Sequence, residues 1–98
     1  MKVITICGSF KYSQEMMKIG EELQLQGNCV ILPNFPTKDN YTAQEIKLFG
    51  EMHKEKIKIS DAIFVVDVEG YIGNATKSEI ELAKTLNKEI IYYSRNVK

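Results

Sequence analysis

The chain has 98 residues, of which 44% are hydrophobic, and its 13 basic and 13 acidic residues give a formal charge of zero. A chain of this length predicts one domain that buries roughly 60–70% of its unfolded surface. The sequence has no concentrated basic face, because Lys54, Lys56 and Lys58 are interleaved with Glu51 and Glu55 in the pattern of a solvated helix. We therefore expect no nucleic-acid partner.

The cysteines and the first residues indicate the compartment. Cys7 and Cys29 fall within predicted strands and lack the spacing of metal ligands, so we expect two buried thiols, no disulfide and no metal. The opening MKVITICGS is too short and too strand-like for a signal peptide, and no apolar run is long enough to cross a bilayer. These features predict a soluble, cytoplasmic protein with no membrane partner and no cofactor.

Strands and helices alternate along the chain. Apolar, mostly β-branched runs predict strands at residues 2–7, 29–32, 62–66 and 89–93. Between them, the first helix spans residues 12–26, the second opens at the capping-box pattern Thr42-x-x-Glu45, and the third follows a second such pattern, Thr76-x-x-Glu79. Helical spacing predicts that these residues face the core: Met16, Ile19, Leu23, Ile46, Phe49, Met52, Ile57, Ile80, Ala83 and Leu86. The last five residues are expected to fray.

The order β-α-β-α-β-α-β predicts an α/β fold. Its natural form is a small flavodoxin-like or Rossmann-like three-layer sandwich, with a four-stranded parallel sheet in the order 2-1-3-4 and helices on both faces. The switch point of this sheet lies between strands 1 and 3. The loop Gly8-Ser9-Phe10 and the loop of residues 67–76 face each other there, which predicts a ligand site built from two distant loops.

The segment of residues 61–86 carries the strongest functional signal. Asp67 closes the apolar strand of residues 62–66, at the carboxyl end where such sheets place their ligands. Gly70 and Gly73 allow a tight turn, or a close approach of backbone N–H groups to a phosphate or sugar. Glu79 follows at the start of the third helix. A carboxylate at a crevice, backed by a second one on the preceding strand, suits acid/base or nucleophilic chemistry.

Each of these polar residues also has a purely structural interpretation. Glu79 would bond the backbone N–H of Thr76 if the second capping box forms. Asp67 fits a simple turn at the end of a strand. His53, the only histidine, lies in a predicted helix without an evident partner, so we expect it to have a packing or intersubunit role.

Three segments resemble the nucleoside 2-deoxyribosyltransferase-like superfamily, especially its short bacterial and phage members. They are ICGSF at residues 6–10, His53-x-x-Lys56-Ile57-x-x-Ser60-Asp61, and GYIGNATKSEIELA at residues 70–83. The resemblance covers most of the chain and implies one domain of this fold over residues 1–98. The last segment is the most specific of the three.

The resemblance implies an enzyme that acts on the N-glycosidic bond of a nucleoside or nucleotide. Glu79 matches the glutamate that attacks the anomeric carbon, and Asp67 is the best match to the acid that protonates the leaving base. The sugar would then pass to a second base in a deoxyribosyltransferase, or to water in a hydrolase. The expected substrate-binding residues lie in the first loop and before the third helix: Gly8, Ser9, Phe10, Tyr12, Gly70, Gly73, Asn74 and Thr76.

The chain departs from this superfamily in two respects. Transferases commonly carry an acidic residue shortly before the glutamate, where this chain has Gly73, Asn74 and Ala75. The chain is also shorter than characterised transferases, which take part of their pocket from neighbouring subunits. The element Thr76-x-x-Glu79 also approaches the Gly-Thr-x-x-Glu element of cytokinin-activating phosphoribohydrolases, without its glycine. A non-catalytic nucleotide-binding or sensing module on the same fold therefore stays open.

The second helix predicts self-association. Met52, Ile57 and Ile59 lie around more than one face of this helix, and a helix that is apolar beyond one stripe usually buries the excess against a partner. We therefore expect a homodimer or a higher homo-oligomer that binds a nucleoside or nucleotide.

Overall fold

The computed structural model describes residues 1–95, in which four strands alternate with three α-helices. In chain order they are β1 (Val3–Gly8), α1 (Ser13–Leu25), β2 (Cys29–Ile31), α2 (Ala43–Ile59), β3 (Ala62–Val66), α3 (Asn74–Thr85) and β4 (Glu89–Tyr92). Short 3-10 turns lie at Phe10–Tyr12, Val68–Gly70 and Tyr93–Arg95. All strand pairs are parallel and the sheet order is β2-β1-β3-β4, so the predicted fold class and strand order are confirmed.

The two faces of the sheet bury separate clusters of apolar side chains. Ile4 and Ile6 of β1 pack with Met16 of α1 on one face. Cys7 of β1 packs with Ile57 of α2 and with apolar residues of α3 on the other face. Because helices cover both faces, all five residues of β3 are buried, as expected for a central strand of a parallel sheet.

The predicted capping box at the start of α2 is present. Thr42 Oγ1 accepts a hydrogen bond from Glu45 N at 3.0 Å, and Glu45 Oε1 accepts one from Thr42 N at 2.9 Å. Each partner satisfies a backbone N–H that the helix leaves free. The start of α2 was therefore predictable from four residues of sequence.

The apolar side chains in the first half of α2 do not face the core. Ile46, Phe49 and Met52 are exposed by 60%, 37% and 49%, and the prediction that they are buried was wrong. The buried residues of this helix are His53 and Ile57, both in its C-terminal half. Helical spacing identifies an apolar stripe correctly, but it does not tell how far along the helix the sheet covers that stripe.

The ends of elements account for two further corrections. Cys29 is exposed, not buried, because it is the first residue of the edge strand β2. Leu86 is 37% exposed, against the prediction, because α3 ends at Thr85. Both cysteines are free thiols, as predicted.

Within residues 1–95, no helix combines the length and the apolar character needed to cross a membrane.

The carboxyl end of β3 is tied to the turn that follows β4. Asp67, only 4% exposed, accepts hydrogen bonds from Ser94 N at 2.8 Å and from Ser94 Oγ at 2.7 Å. Ser94 and Arg95 were expected to fray but form a 3-10 turn with Tyr93. The other residues of that prediction, 96–98, lie outside the described residues.

The bonds between Asp67 and Ser94 should stabilise the fold measurably. We expect Asp67→Ala to lower the free energy of unfolding by about 1–3 kcal/mol, because two part-buried hydrogen bonds with Ser94 are lost. Ser94→Ala removes only the hydroxyl bond and should cost about 1 kcal/mol. Denaturant titrations of both variants measure these differences. Wild-type stability in Asp67→Ala would show that this contact does not anchor the chain.

Candidate functional site

A cavity of about 550 Å³ lies beyond the carboxyl end of β1. Its lining comes from the loop after β1, the loop after β2, one face of α2 and the start of α3. Six of the predicted substrate-binding residues line it together with Glu79: Gly8, Ser9, Phe10, Gly73, Asn74 and Thr76. The two loops predicted to meet at the switch point therefore do border one cavity.

Three predicted site residues are not part of the cavity lining. Tyr12 packs against Tyr71, with the ring centroids 6.2 Å apart. Gly70 turns the chain with a φ of 79°. Both oxygens of Asp67 are bonded to Ser94, so the predicted convergence of Asp67 and Glu79 in one pocket does not occur. A position at a strand end brings a residue near the crevice, but its own hydrogen-bond partners decide where its side chain points.

Glu79 does not cap a helix. Helix α3 begins at Asn74 with Gly73 as its N-cap, and no side chain caps it. Thr76 therefore lies inside the first turn and Glu79 in the second, so the capping box proposed from Thr76-x-x-Glu79 is absent and that interpretation was wrong. The Glu79 side chain is 21% exposed and lines the cavity.

Glu79 meets two other polar side chains that come from different elements. His53 Nε2 of α2 lies 3.7 Å from Glu79 Oε1 and 3.4 Å from Cys7 Sγ of β1. Cys7 is fully buried and His53 is 8% exposed. Among the described residues, His53 Nδ1 has no hydrogen-bond partner. The cluster of Cys7, His53 and Glu79 thus joins the sheet to both helices on one of its faces.

Burial controls the protonation of this cluster. Desolvation raises the pKa of Glu79 from its ordinary 4.5 to about 7, although a hydrogen bond with Cys7 opposes the shift. Desolvation, helped by the positive charge of Lys56, lowers the pKa of His53 from 6.5 to about 4. Burial and, secondarily, Glu79 raise the pKa of the Cys7 thiol. The 3.7 Å between His53 and Glu79 exceeds hydrogen-bond distance, so we infer that both stay neutral between these pKa values instead of forming an ion pair.

Aromatic and aliphatic side chains form much of the remaining lining. Phe49 and Tyr41 pack edge to face with ring centroids 5.4 Å apart, and Phe10 packs in the same manner on Phe35 at 6.3 Å. Tyr41, Phe49 and Ile46 line the cavity. The sequence analysis missed these three as site residues, because an apolar residue facing a cavity has the same helical spacing as one facing a core.

His53 was also missed as a site residue. It lies on the same stripe of α2 as Ile46 and Phe49, seven and four residues earlier, and all three line the cavity. A lone histidine that continues an apolar stripe was the available signal.

No protein-family model and no curated protein matches the chain.

The opposite pKa shifts of His53 and Glu79 predict an unusual dependence of stability on pH. Unfolded His53 is protonated below 6.5 while the folded ring stays neutral down to about 4, so its contribution to stability rises with pH over that interval. Folded Glu79 keeps its proton up to about 7, whereas the unfolded side chain loses it above 4.5, so its contribution falls as the pH rises. The two contributions cancel between these limits.

Removal of the Glu79 carboxyl should expose the His53 contribution. We expect the free energy of unfolding of Glu79→Gln, relative to the wild type, to rise by about 2–3 kcal/mol between pH 4.5 and 6.5. Glu81→Gln on the same helix is the control, because Glu81 is exposed. Denaturant titrations at several pH values measure the difference. Parallel pH curves for Glu79→Gln and the wild type would contradict the assigned protonation states.

Proposed function

We propose that the protein acts on the N-glycosidic bond of a nucleoside or nucleotide, with Glu79 as the nucleophile. The position of Glu79 carries this proposal. Its carboxyl group lines an apolar cavity at the loops of a parallel sheet, and it makes no capping bond that would occupy it. A carboxyl whose pKa is raised to about 7 is partly ionised near neutral pH and poorly solvated, which favours attack on carbon.

The cavity suits a ligand with one flat apolar part and one polar part. Its volume of about 550 Å³ is within the range of small-molecule sites. Phe10, Tyr41 and Phe49 offer aromatic surface for a base. The loops containing Gly8 and Gly73 offer backbone groups for a sugar or a phosphate. The resemblance to the nucleoside 2-deoxyribosyltransferase-like superfamily supports the same ligand class.

The proposed reaction has two steps. The Glu79 carboxylate attacks the anomeric carbon, the bond from that carbon to the base nitrogen breaks, and the base leaves with the bonding electrons. Because Asp67 lies outside the lining, the leaving base takes its proton from water. In the second step, another base or a water molecule attacks the same carbon and releases the Glu79 carboxylate, which gives transfer or hydrolysis.

A second candidate is a nucleotide-binding or sensing module without catalysis. The position of Asp67 favours it, since both oxygens of this expected acid are bonded to Ser94. Glycosidic cleavage commonly uses a second carboxyl group beside the nucleophile. A protein that binds the ligand without cleaving it would keep the cavity and lose that group.

Replacement of Glu79 tests the proposed reaction. We expect Glu79→Gln to abolish base release from a panel of nucleosides and nucleoside monophosphates, because an amide cannot form the glycosyl ester. Glu81→Gln should keep full activity, since Glu81 is an exposed residue of the same helix. Asp67→Asn should keep it as well, if its fold is intact. Chromatography of the released base measures all four proteins.

Two results would reject the covalent mechanism. Wild-type rates in Glu79→Gln would remove Glu79 as the nucleophile. Binding of a nucleotide by calorimetry, with no base released by the wild type from any compound of the panel, would instead support the binding module.

We also propose that the chain is a homodimer whose partner packs on the outer side of α2. Leu48 and Met52, one helical turn apart, are 50% and 49% exposed and do not line the cavity. Ile46 lines the cavity and is still 60% exposed. Burial of these side chains against a second copy would remove apolar surface from water and narrow the open cavity.

Light scattering tests the dimer. We expect the wild type to have twice the mass of one chain, and the double variant Leu48→Glu, Met52→Glu to have the mass of one chain, because charges oppose burial at the interface. Lys47→Glu, an exposed change on the same helix, is the control for the added charge. A monomeric wild type at high micromolar concentration would rule out the dimer.

A further inference from the structure

The cluster of Cys7, His53 and Glu79 places three potential metal-ligating atoms close together. A sulfur, an imidazole nitrogen and a carboxylate oxygen all lie within 4.8 Å of one another. The separations are 3.4 Å from Cys7 Sγ to His53 Nε2 and 3.7 Å from His53 Nε2 to Glu79 Oε1. The ligands come from β1, α2 and α3, so the fold holds them in place without a local sequence motif.

These separations are close to those in a tetrahedral metal centre. Bond lengths of about 2.0–2.3 Å to zinc and tetrahedral angles place neighbouring ligand atoms about 3.3–3.6 Å apart. For a sulfur and a nitrogen ligand this geometry gives about 3.5 Å, and the 3.4 Å between Cys7 Sγ and His53 Nε2 is close to that value. For a nitrogen and an oxygen ligand it gives about 3.3–3.4 Å, which the 3.7 Å between His53 Nε2 and Glu79 Oε1 exceeds by about 0.3–0.4 Å. A small movement of the Glu79 side chain would therefore bring its oxygen to bonding distance of a cation held by Cys7 and His53.

The types of ligand select the class of cation. Thiolate and imidazole bind zinc and related transition metals, whereas magnesium and calcium prefer sets made of oxygen atoms. Three protein ligands with an open fourth position are typical of zinc sites that bind water or a substrate. His53 and Glu79 border the cavity, so the fourth position would be reached from it.

The electrostatics of the cluster also suit a cation. Cys7 is fully buried, where a thiolate without a counter-charge would be costly. A dication would compensate the charges of the thiolate and the carboxylate together. Neutral His53 has a lone pair available at Nε2 when its proton is on Nδ1.

We propose that Cys7, His53 and Glu79 bind one transition-metal dication of the zinc class, with the fourth coordination position open to the cavity. The sequence-based expectation of no metal considered only the spacing of the two cysteines. This proposal does not rest on the proposed function. A Glu79 oxygen bound to the cation is unavailable for attack on a sugar, so the metal-bound form would be inactive in the glycosidic reaction.

Cobalt(II) is the probe, because its absorption reports both the geometry and a sulfur ligand. The full chain is stripped of metal with a chelator and titrated with Co²⁺ without nucleoside. We expect saturation at one equivalent, visible bands of tetrahedral Co²⁺ and a thiolate-to-cobalt charge-transfer band. Zn²⁺ should then displace the Co²⁺ and bleach these bands. Octahedral Co²⁺ alone, or no saturable binding, would overturn the proposal.

The two cysteines supply matched variants. Cys7→Ser should lose the charge-transfer band, whereas Cys29→Ser should keep it, because Cys29 is exposed at the sheet edge and outside the cluster. Loss of the band in Cys29→Ser with retention in Cys7→Ser would show adventitious binding at the exposed thiol and would overturn the assignment.

Glu79→Gln keeps the test valid if Cys7→Ser does not fold. Glu79 is partly exposed, so its replacement should leave the fold intact, as circular dichroism would show. Zinc affinity is measured by competition with a colorimetric chelator. Loss of a group that only orients a ligand typically lowers the affinity about 10–100-fold, and we expect a larger fall in Glu79→Gln. Glu81→Gln should bind as the wild type does. Unchanged affinity in Glu79→Gln would remove Glu79 from the site.

Discussion

Desolvation of polar side chains between the sheet and α2 is the constraint on which the site depends. Two groups of such side chains among the described residues differ in how many hydrogen-bond partners their polar atoms have. Thr5 and Ser60 share a hydrogen bond of 2.6 Å, and Ser60 Oγ donates to a backbone carbonyl of α2 at 2.7 Å. The polar atoms of Cys7, His53 and Glu79 lie within 4.8 Å of one another, and His53 Nδ1 has no hydrogen-bond partner in the described part of the chain. A buried polar cluster that is only partly satisfied raises the energy of the fold, and such clusters commonly serve function.

A proton, the proposed cation or the proposed sugar substrate would each relieve the same desolvation. With a proton on Glu79, the cluster is neutral and costs least near the acidic side of neutrality. A dication would let Cys7 and Glu79 ionise together and would use the lone pair of His53. Attack on a sugar carbon would convert the Glu79 carboxylate into a neutral ester. Since each outcome engages the Glu79 oxygens, the three states exclude one another, and the occupant of the cavity would decide which one forms.

The sequence predicts the layers of this fold more reliably than its polar contacts. The four strands, their order and the two loops that border the cavity follow from local patterns and from the handedness of crossovers. The Thr76-x-x-Glu79 pattern failed because α3 begins at Asn74, three residues earlier than that pattern requires. The prediction that Asp67 faces the pocket failed because its hydrogen-bond partner, Ser94, lies 27 residues away in the chain. A short pattern cannot reveal such long-range partners, and it cannot show that β1 brings Cys7 against His53.

Helix α2 shows why periodicity alone gave an incomplete account. Three sets of its side chains have different surroundings: Ile57 packs in the core, Phe49 and His53 line the cavity, and Leu48 and Met52 face outward. Burial favours apolar residues in the core and in the cavity wall, and it would favour Leu48 and Met52 against the proposed partner. The same apolar spacing therefore occurs where side chains pack in the core, line the cavity and face outward. Only the position of α2, which buries its C-terminal half against the sheet and leaves its first half beside the loops, separates the three groups.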